Sequence, residues 1–180
     1  MKIRLLKQLD EIDATQWNAL EGGIDNPFLR HEFLAGLEQC GCVGEKWGWH
    51  PRHLLLESDN GELLGAMPLY LKENSYGEFV FDWSWADAYQ RAGLSYYPKL
   101  VSGIPYSPVS GPRLLVAEGA DGMAVKKQLG EAALDYARSE GASSLHINFS
   151  DEVDTSTLAS LGMMRRTGTQ FHWFNRDYSD

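Results

Sequence analysis

The sequence predicts an α+β (mixed α/β) domain, a mixed, mostly antiparallel sheet with helices on both faces. Three observations carry that expectation. Two β-prone apolar runs, His53–Glu57 and Leu63–Leu71, flank Ser58-Asp59-Asn60-Gly61, and Asn-Gly is a favoured two-residue hairpin turn because both positions tolerate positive φ. A strand–helix–strand unit comes late, over Arg113–Val116, Met123–Ser139 and Ser143–Phe149. The chain has 180 residues, 43% hydrophobic and 23% charged, the size and balance of one globular domain with a sizeable core.

The elements follow in order. Lys2–Leu6 alternates and opens as a strand. Thr15–Leu20 is a short helix capped by Asp13 or Thr15 and ended by Gly22-Gly23. Asn26-Pro27 starts the next helix, with Asn as N-cap and Pro in the first helical position. Phe28, Phe33, Leu34 and Leu37 form its buried stripe, and Gly41 stops it. After the hairpin, Glu78–Phe81 reads as a strand and Trp85–Ala92 as a short helix closed by Gly93. Lys99–Ile104 and Arg113–Val116 are strands joined by a loop stiffened by Pro105, Pro108 and Pro112. Met123–Ser139 is amphipathic, capped by Asp121 and ended at Gly141, with Val125, Leu129, Ala132, Ala133 and Tyr136 inward. On Ser143–Phe149, Leu145, Ile147 and Phe149 share one face while His146 and Asn148 share the other. Asp151–Leu161 is a helix ended by Gly162, and Met163–Asn175 reads as a closing hairpin.

The segment from Tyr76 to Arg113 stands apart. Nine aromatic residues crowd it, from Tyr76, Phe79, Phe81, Trp83 and Trp85 through Tyr89, Tyr96, Tyr97 and Tyr106, with Asp82, Asp87, Lys99 and Arg113 among them. Charges set among rings are rarely buried unless paired, so Asp82 or Asp87 is expected beside Lys99 or Arg113. Two readings fit: a concave, half-wet substrate cleft, and a packed junction whose ion pairs tie loops down.

A formal charge of −9 argues against a DNA-binding platform. No apolar run is long enough to span a bilayer, so a cytoplasmic protein is expected. Cys40 and Cys42 are the only cysteines, too close for an unstrained mutual disulfide. With His50 and His53 they make a Cys-x-Cys…His-x-x-His run, but the cysteines fall at a helix end and His50 precedes a proline, so no metal site is expected.

Two sets of residues carry a family resemblance. The run Leu129-Gly-Glu-Ala-Ala-Leu-Asp-Tyr-Ala-Arg-Ser-Glu-Gly-Ala-Ser-Ser-Leu-His-Ile-Asn-Phe-Ser-Asp151, with Leu161-Gly-Met-Met-Arg-Arg-Thr-Gly168, resembles the central helix, fifth strand and following helix of the GNAT acyltransferase superfamily. Phe81-Asp-Trp-Ser-Trp-Ala-Asp-Ala-Tyr89, Tyr96-Tyr-Pro-Lys-Leu100, Pro105-Tyr-Ser-Pro-Val-Ser-Gly-Pro-Arg-Leu-Leu115 and Phe171-His-Trp173 resemble the bacterial FemAB-like proteins of peptidoglycan biosynthesis or recognition. The resemblance implies a GNAT-like acyl-CoA N-acyltransferase fold over residues 1–180. Members of that family are about twice this length, so the chain reads as one N-terminal half, with the C-terminal half as its implied partner.

What the resemblance implies chemically is transfer of an acyl or aminoacyl group to an amine, with acyl-CoA or aminoacyl-tRNA as donor and a small molecule or peptidoglycan precursor as acceptor. Such transfer needs a proton acceptor and donors for the developing oxyanion. Asp82, Asp87 and His146 are the candidate catalytic residues, with His172 a further candidate acceptor. Trp83, Trp85, Tyr89, Tyr97, Lys99, Tyr106, Arg113, Asn148 and His172 are the candidate substrate-binding residues. The GNAT phosphate loop, Arg/Gln-x-x-Gly-x-Gly/Ala, is altered: Asp121, Ala124 and Lys126 fall at its three key places. Lys126 and Lys127 are left as the candidate phosphate contacts. Beside an enzyme, two other readings stand: a non-catalytic substrate-binding module, and an interface domain whose exposed aromatic patch would drive a homodimer.

Overall fold

The computed structural model describes residues 1–21, 26–169 and 171–178. Gly22-Gly23, the expected end of the first helix, lies outside the described residues. The strands are β1 (Lys2–Leu6), β2 (Leu20–Glu21), β3 (Trp49–Pro51), β4 (His53–Glu57), β5 (Leu63–Met67), β6 (Tyr70–Lys72), β7 (Lys99–Ser102), β8 (Leu115–Ala117) and β9 (Leu145–Ile147). The helices are α1 (Ala14–Asn18), α2 (His31–Gln39), α3 (Trp83–Arg91), α4 (Gly122–Ser139) and α5 (Glu152–Ser160). The strands form two sheets, ordered β1-β4-β5-β8-β2 and β3-β6-β7-β9, in which every pairing is antiparallel except β7 with β9.

The first sheet is covered on both faces, which is why β4 reads as an unbroken apolar run. Leu55, Ala66 and Leu115 pack with Trp17, Leu29, Leu34 and Ala35 from the α1/α2 side. Leu54, Leu56, Met67 and Val116 pack with Val125, Leu129, Ala133 and Leu158 from the α4/α5 side. α4 lies close to β5 because Gly65 has no side chain: a Cβ there would stand 2.5 Å from Val125 Cγ1 and 2.6 Å from the Leu115 carbonyl.

Pro68 divides the expected strand Leu63–Leu71 into β5 and β6 and passes the chain from the first sheet to the second. The polar backbone groups of Pro68 and Leu69 are taken. The Pro68 carbonyl accepts from Ser102 Oγ (2.6 Å), the Leu69 carbonyl from Arg52 N (2.8 Å), and the Leu69 N–H donates to His53 Nδ1 (3.1 Å). His53 is fully buried, and its Nε2 lies 2.9 Å from Glu38 on α2. This histidine–glutamate pair therefore satisfies a kinked strand.

Several expectations are corrected. The hairpin has no two-residue Asn-Gly turn: Ser58 N bonds to Glu62 O (2.8 Å), Gly61 N bonds to Ser58 O (3.0 Å), and only Gly61 takes positive φ, at 85°. The longer turn accompanies a register shift between Leu56 and Glu57. The helix expected from Pro27 is a one-turn 3-10 segment, Pro27–Leu29, then α2, because Arg30 between them is extended. Glu78–Phe81 is a loop, since Glu78 turns inward to a charge. Among the described residues of 163–175 there is no strand.

Candidate functional site

β6 ends at Lys72 and β7 begins at Lys99, and the two lysines face each other in register. The chain between them carries the aromatic segment and returns two carboxylates to the lysines. Lys99 Nζ lies 2.5 Å from Asp82 Oδ2, 2.9 Å from Glu78 Oε2 and 2.9 Å from Ser75 Oγ. Lys99 and Asp82 are fully buried and Glu78 nearly so. Lys72 Nζ sits 3.8 Å from the centre of the Trp49 ring and donates to the Tyr76 carbonyl (3.2 Å) and Asn74 Oδ1 (3.3 Å). Burial draws Lys72 down to about 7, with the neighbouring Lys99 adding to the fall and Glu78 opposing it. Burial raises Glu78 against the pull of Lys99. For Asp82, burial pushes upward, but hydrogen bonds from Lys99, Tyr96 and Ser75 outweigh it and hold the carboxyl below its usual range.

Tyr96 carries this cluster toward the surface. Its hydroxyl donates to Asp82 Oδ2 at 2.6 Å and lies 3.4 Å from His146 Nε2. Burial, then the bond to Asp82, pushes the phenol far above its ordinary value, so it keeps its proton. His146 is on β9 opposite Val101 of β7. Its Nε2 also meets Ser144 Oγ at 2.8 Å. Its Nδ1 has no hydrogen-bond partner among the described residues and is not sealed from solvent. Burial, reinforced by Lys99 and opposed by Asp82, draws His146 down to about 4. The ring is therefore neutral near pH 7 and able to accept a proton.

The expected pairing of a carboxylate with Lys99 involves Asp82, and the network brings Asp82, Lys99 and His146 together. Tyr97 borders it through Ser75 Oγ (2.8 Å), and Tyr89 packs on Tyr96 with ring centres 5.2 Å apart. Trp83 and Trp85 are 48% and 51% exposed on α3, and Tyr76 packs edge-on to Trp83. These rings, like Phe79 and Phe81, are exposed on the same segment that supplies the carboxylates of the buried cluster. Tyr96, Ser144, Glu78 and Ser75 were missed in the sequence. Tyr96 looked like one more ring, and the serines carry no pattern of their own.

The structure places the other candidates apart from this array or in structural roles. Asp87 is exposed and pairs with Arg91 one helical turn away (2.8 Å), so it has no part in the cluster. Lys99 cannot meet an anionic substrate, because it is enclosed by its two carboxylates. Arg113 is fully buried and donates to the carbonyls of Asn148, Gly111, Pro112 and Val109. Burial pulls its guanidinium down to about 10, opposed by Asp154. Arg113 fastens the proline loop to the segment after β9. Asn148 is buried there, receiving Arg113 on its carbonyl. Tyr106 bonds to the Cys42 carbonyl (2.9 Å) and packs against Trp49, locking two loops. His172 is exposed, stacked on Phe174, with no contact to the cluster among the described residues.

The N-terminus of α4 does not fit an acyl-CoA pyrophosphate. Asp121 caps it, accepting from Ala124 N at 3.2 Å, and its carboxylate would repel a phosphate there. Lys126 Nζ is held by buried Asp154 at 2.5 Å. Asp154 also accepts the N–H groups of Arg113 (2.6 Å) and Leu114 (2.9 Å). Lys127 lines an open groove of about 560 Å³ between α4 and α5, beside Glu152, Ser156, Thr157 and Ser160. Among the described residues no group of His, Cys, Asp and Glu is arranged for a metal ion, and no helix is long and apolar enough to cross a membrane.

Comparison with solved structures gives the class. A probable acetyltransferase aligns at a TM-score of 0.55 and 20% identity, covering 100% of this chain and 99% of its own. Ribosomal-protein-alanine N-acetyltransferase from Brucella melitensis aligns at 0.55 and 16%, covering 97% and 100%. Aminoglycoside 6'-N-acetyltransferase from Acinetobacter haemolyticus aligns at 0.51 and 14%, covering 98% and 100%. The molecule thus has the GNAT acetyltransferase fold. The chain belongs to the FemAB-like family of peptidoglycan biosynthesis and recognition, whose sequence profile matches residues 8–180. A search of curated proteins found no match.

Proposed function

We propose that this domain transfers, or helps to transfer, an acyl or aminoacyl group to an amine of a peptidoglycan precursor, with His146 as the proton acceptor. The observation that carries this reading is the array Lys99–Asp82–Tyr96–His146, buried at one end and ending at an imidazole nitrogen that has no partner among the described residues. The amine attacks the donor's carbonyl carbon, its N–C bond forms, and the bond to the leaving group breaks. The proton lost by the amine goes to His146. Family membership supports a cell-wall precursor as acceptor. The donor is an activated acyl or aminoacyl ester whose phosphates, if any, are not held at the α4 N-terminus.

The test is incubation of the chain with acyl-CoAs or aminoacyl-tRNA and muropeptide or UDP-sugar-peptide amines, read by product mass. Product with the wild type and none with His146→Gln supports the reading. Equal product from both variants removes His146 from the chemistry. A second reading is favoured by the exposed rings of Tyr76, Phe81, Trp83 and Trp85: a module that holds the precursor by stacking on sugar or peptide. Under it, the precursor stabilises the chain, by about 2.7 kcal/mol at a hundredfold excess over Kd, while no donor is consumed.

A further inference from the structure

We infer that Tyr96 is a positioning residue: by giving its proton to Asp82 it fixes His146 in the Nε2–H tautomer and leaves Nδ1 as the lone pair that meets the acceptor amine. The tautomer stands on the hydrogen-bond geometry alone, and its use by an amine rests on the transfer reading above.

The argument is an accounting of protons. Lys99 has only donors and directs them to Asp82, Glu78 and Ser75. Asp82 is therefore held as an acceptor, and the 2.6 Å contact from Tyr96 is a phenol donating to a carboxylate. With that proton committed, the Tyr96 oxygen offers only lone pairs to its other neighbour, His146 Nε2 at 3.4 Å. A bare Nε2 would set lone pair against lone pair, whereas Nε2–H makes the contact attractive. Ser144 completes the order. Its hydroxyl accepts from Nε2–H at 2.8 Å and can send its own proton to Ser143 Oγ at 3.3 Å, while Ser143 donates to the Tyr96 carbonyl at 2.5 Å. In the opposite tautomer Ser144 would donate to Nε2, the contact with Tyr96 would turn repulsive, and Nδ1 would carry a hydrogen and be useless as a base. The charged groups that act on the ring are Lys99, Asp82 and Arg166, the last reaching over from the segment after α5, where it donates to the Phe81 carbonyl (3.3 Å).

The experiment is nitrogen NMR of the imidazoles in the full chain labelled at histidine, near pH 7. Among the five histidines, the His146 signals are assigned by their loss in His146→Gln. His53 supplies an internal reference for the Nε2–H form, because its Nδ1 accepts the Leu69 N–H. The expected result is a bare Nδ1 and a protonated Nε2 at His146. In Tyr96→Phe the ring moves to a mixture of tautomers. In Ser144→Ala, which keeps Tyr96, it stays Nε2–H. A protonated Nδ1 in the wild type overturns the inference. So does a tautomer that survives Tyr96→Phe, or one that changes in Ser144→Ala. If Tyr96→Phe does not fold, the wild type and Ser144→Ala still decide. Because none of these readouts uses turnover, an Nε2–H ring in a chain whose His146→Gln variant still transfers would sink the transfer reading alone.

Discussion

His146 is the residue whose ionisation should be visible in bulk measurements. In the fold it titrates near 4, against an ordinary value of 6.5. Between those values the unfolded chain binds the proton first, so stability rises with pH and is lost as pH falls from 6.5 to 4. Up to about 3 kcal/mol rides on this one group, and His146→Gln should flatten that part of a stability profile measured by urea titration. The acid limb of any transfer rate should fall near pH 4 for the same reason. Lys99→Met should cost about 3–5 kcal/mol, because it leaves Glu78 and Asp82 buried without their cation. Arg113→Met should destabilise by about 3 kcal/mol or more, since several backbone carbonyls lose their donor together; a substrate contact would instead show as a raised KM in a stable protein. That a carboxylate would pair with Lys99 or Arg113 was legible, because charges among that many rings must be neutralised. Which carboxylate would do it was not. Asp87 and Asp82 differ only in where the helix begins, and the structure starts α3 at Trp83, leaving Asp82 just before it.

At the scale of elements, most helices declared themselves and strands did so partially. Asp121 accepts from a backbone N–H in the first turn of α4, as its position before that helix foretold, and Asp151 does the same for α5, one residue before the helix rather than inside it. Strand ends depend on partners the sequence does not display: Pro68 was passed over because the apolar pattern continues through it, while its consequence is a change of sheet. The tight approach of α4 to β5 gives a direct test. Gly65→Ala should cost about 1–3 kcal/mol through forced repacking, measured by chemical denaturation, because its methyl would meet both Val125 and the Leu115 carbonyl. At the head of α4, the acidic cap and the engaged Lys126 predict that acetyl-CoA gives no thermal shift. A stabilisation that disappears in Asp121→Lys would be the opposite of what this geometry requires.

Across the whole molecule, the first sheet is an ordinary covered core, and the second carries the unusual chemistry. The link from β6 to β7 supplies the carboxylates and the exposed rings together, so the candidate site grows out of a connection rather than a pocket. That is also why its aromatic character was readable while its wiring was not. The register of Lys72 against Lys99 has one more consequence, for the order in which the chain folds. Two ammonium groups directly opposite each other repel, so the β6–β7 pair is opposed by its own charges until Glu78 and Asp82 swing in. The second sheet should therefore close late, after the first is consolidated. Weakening its carboxylates, as in Asp82→Asn, should speed unfolding and leave the folding rate nearly unchanged.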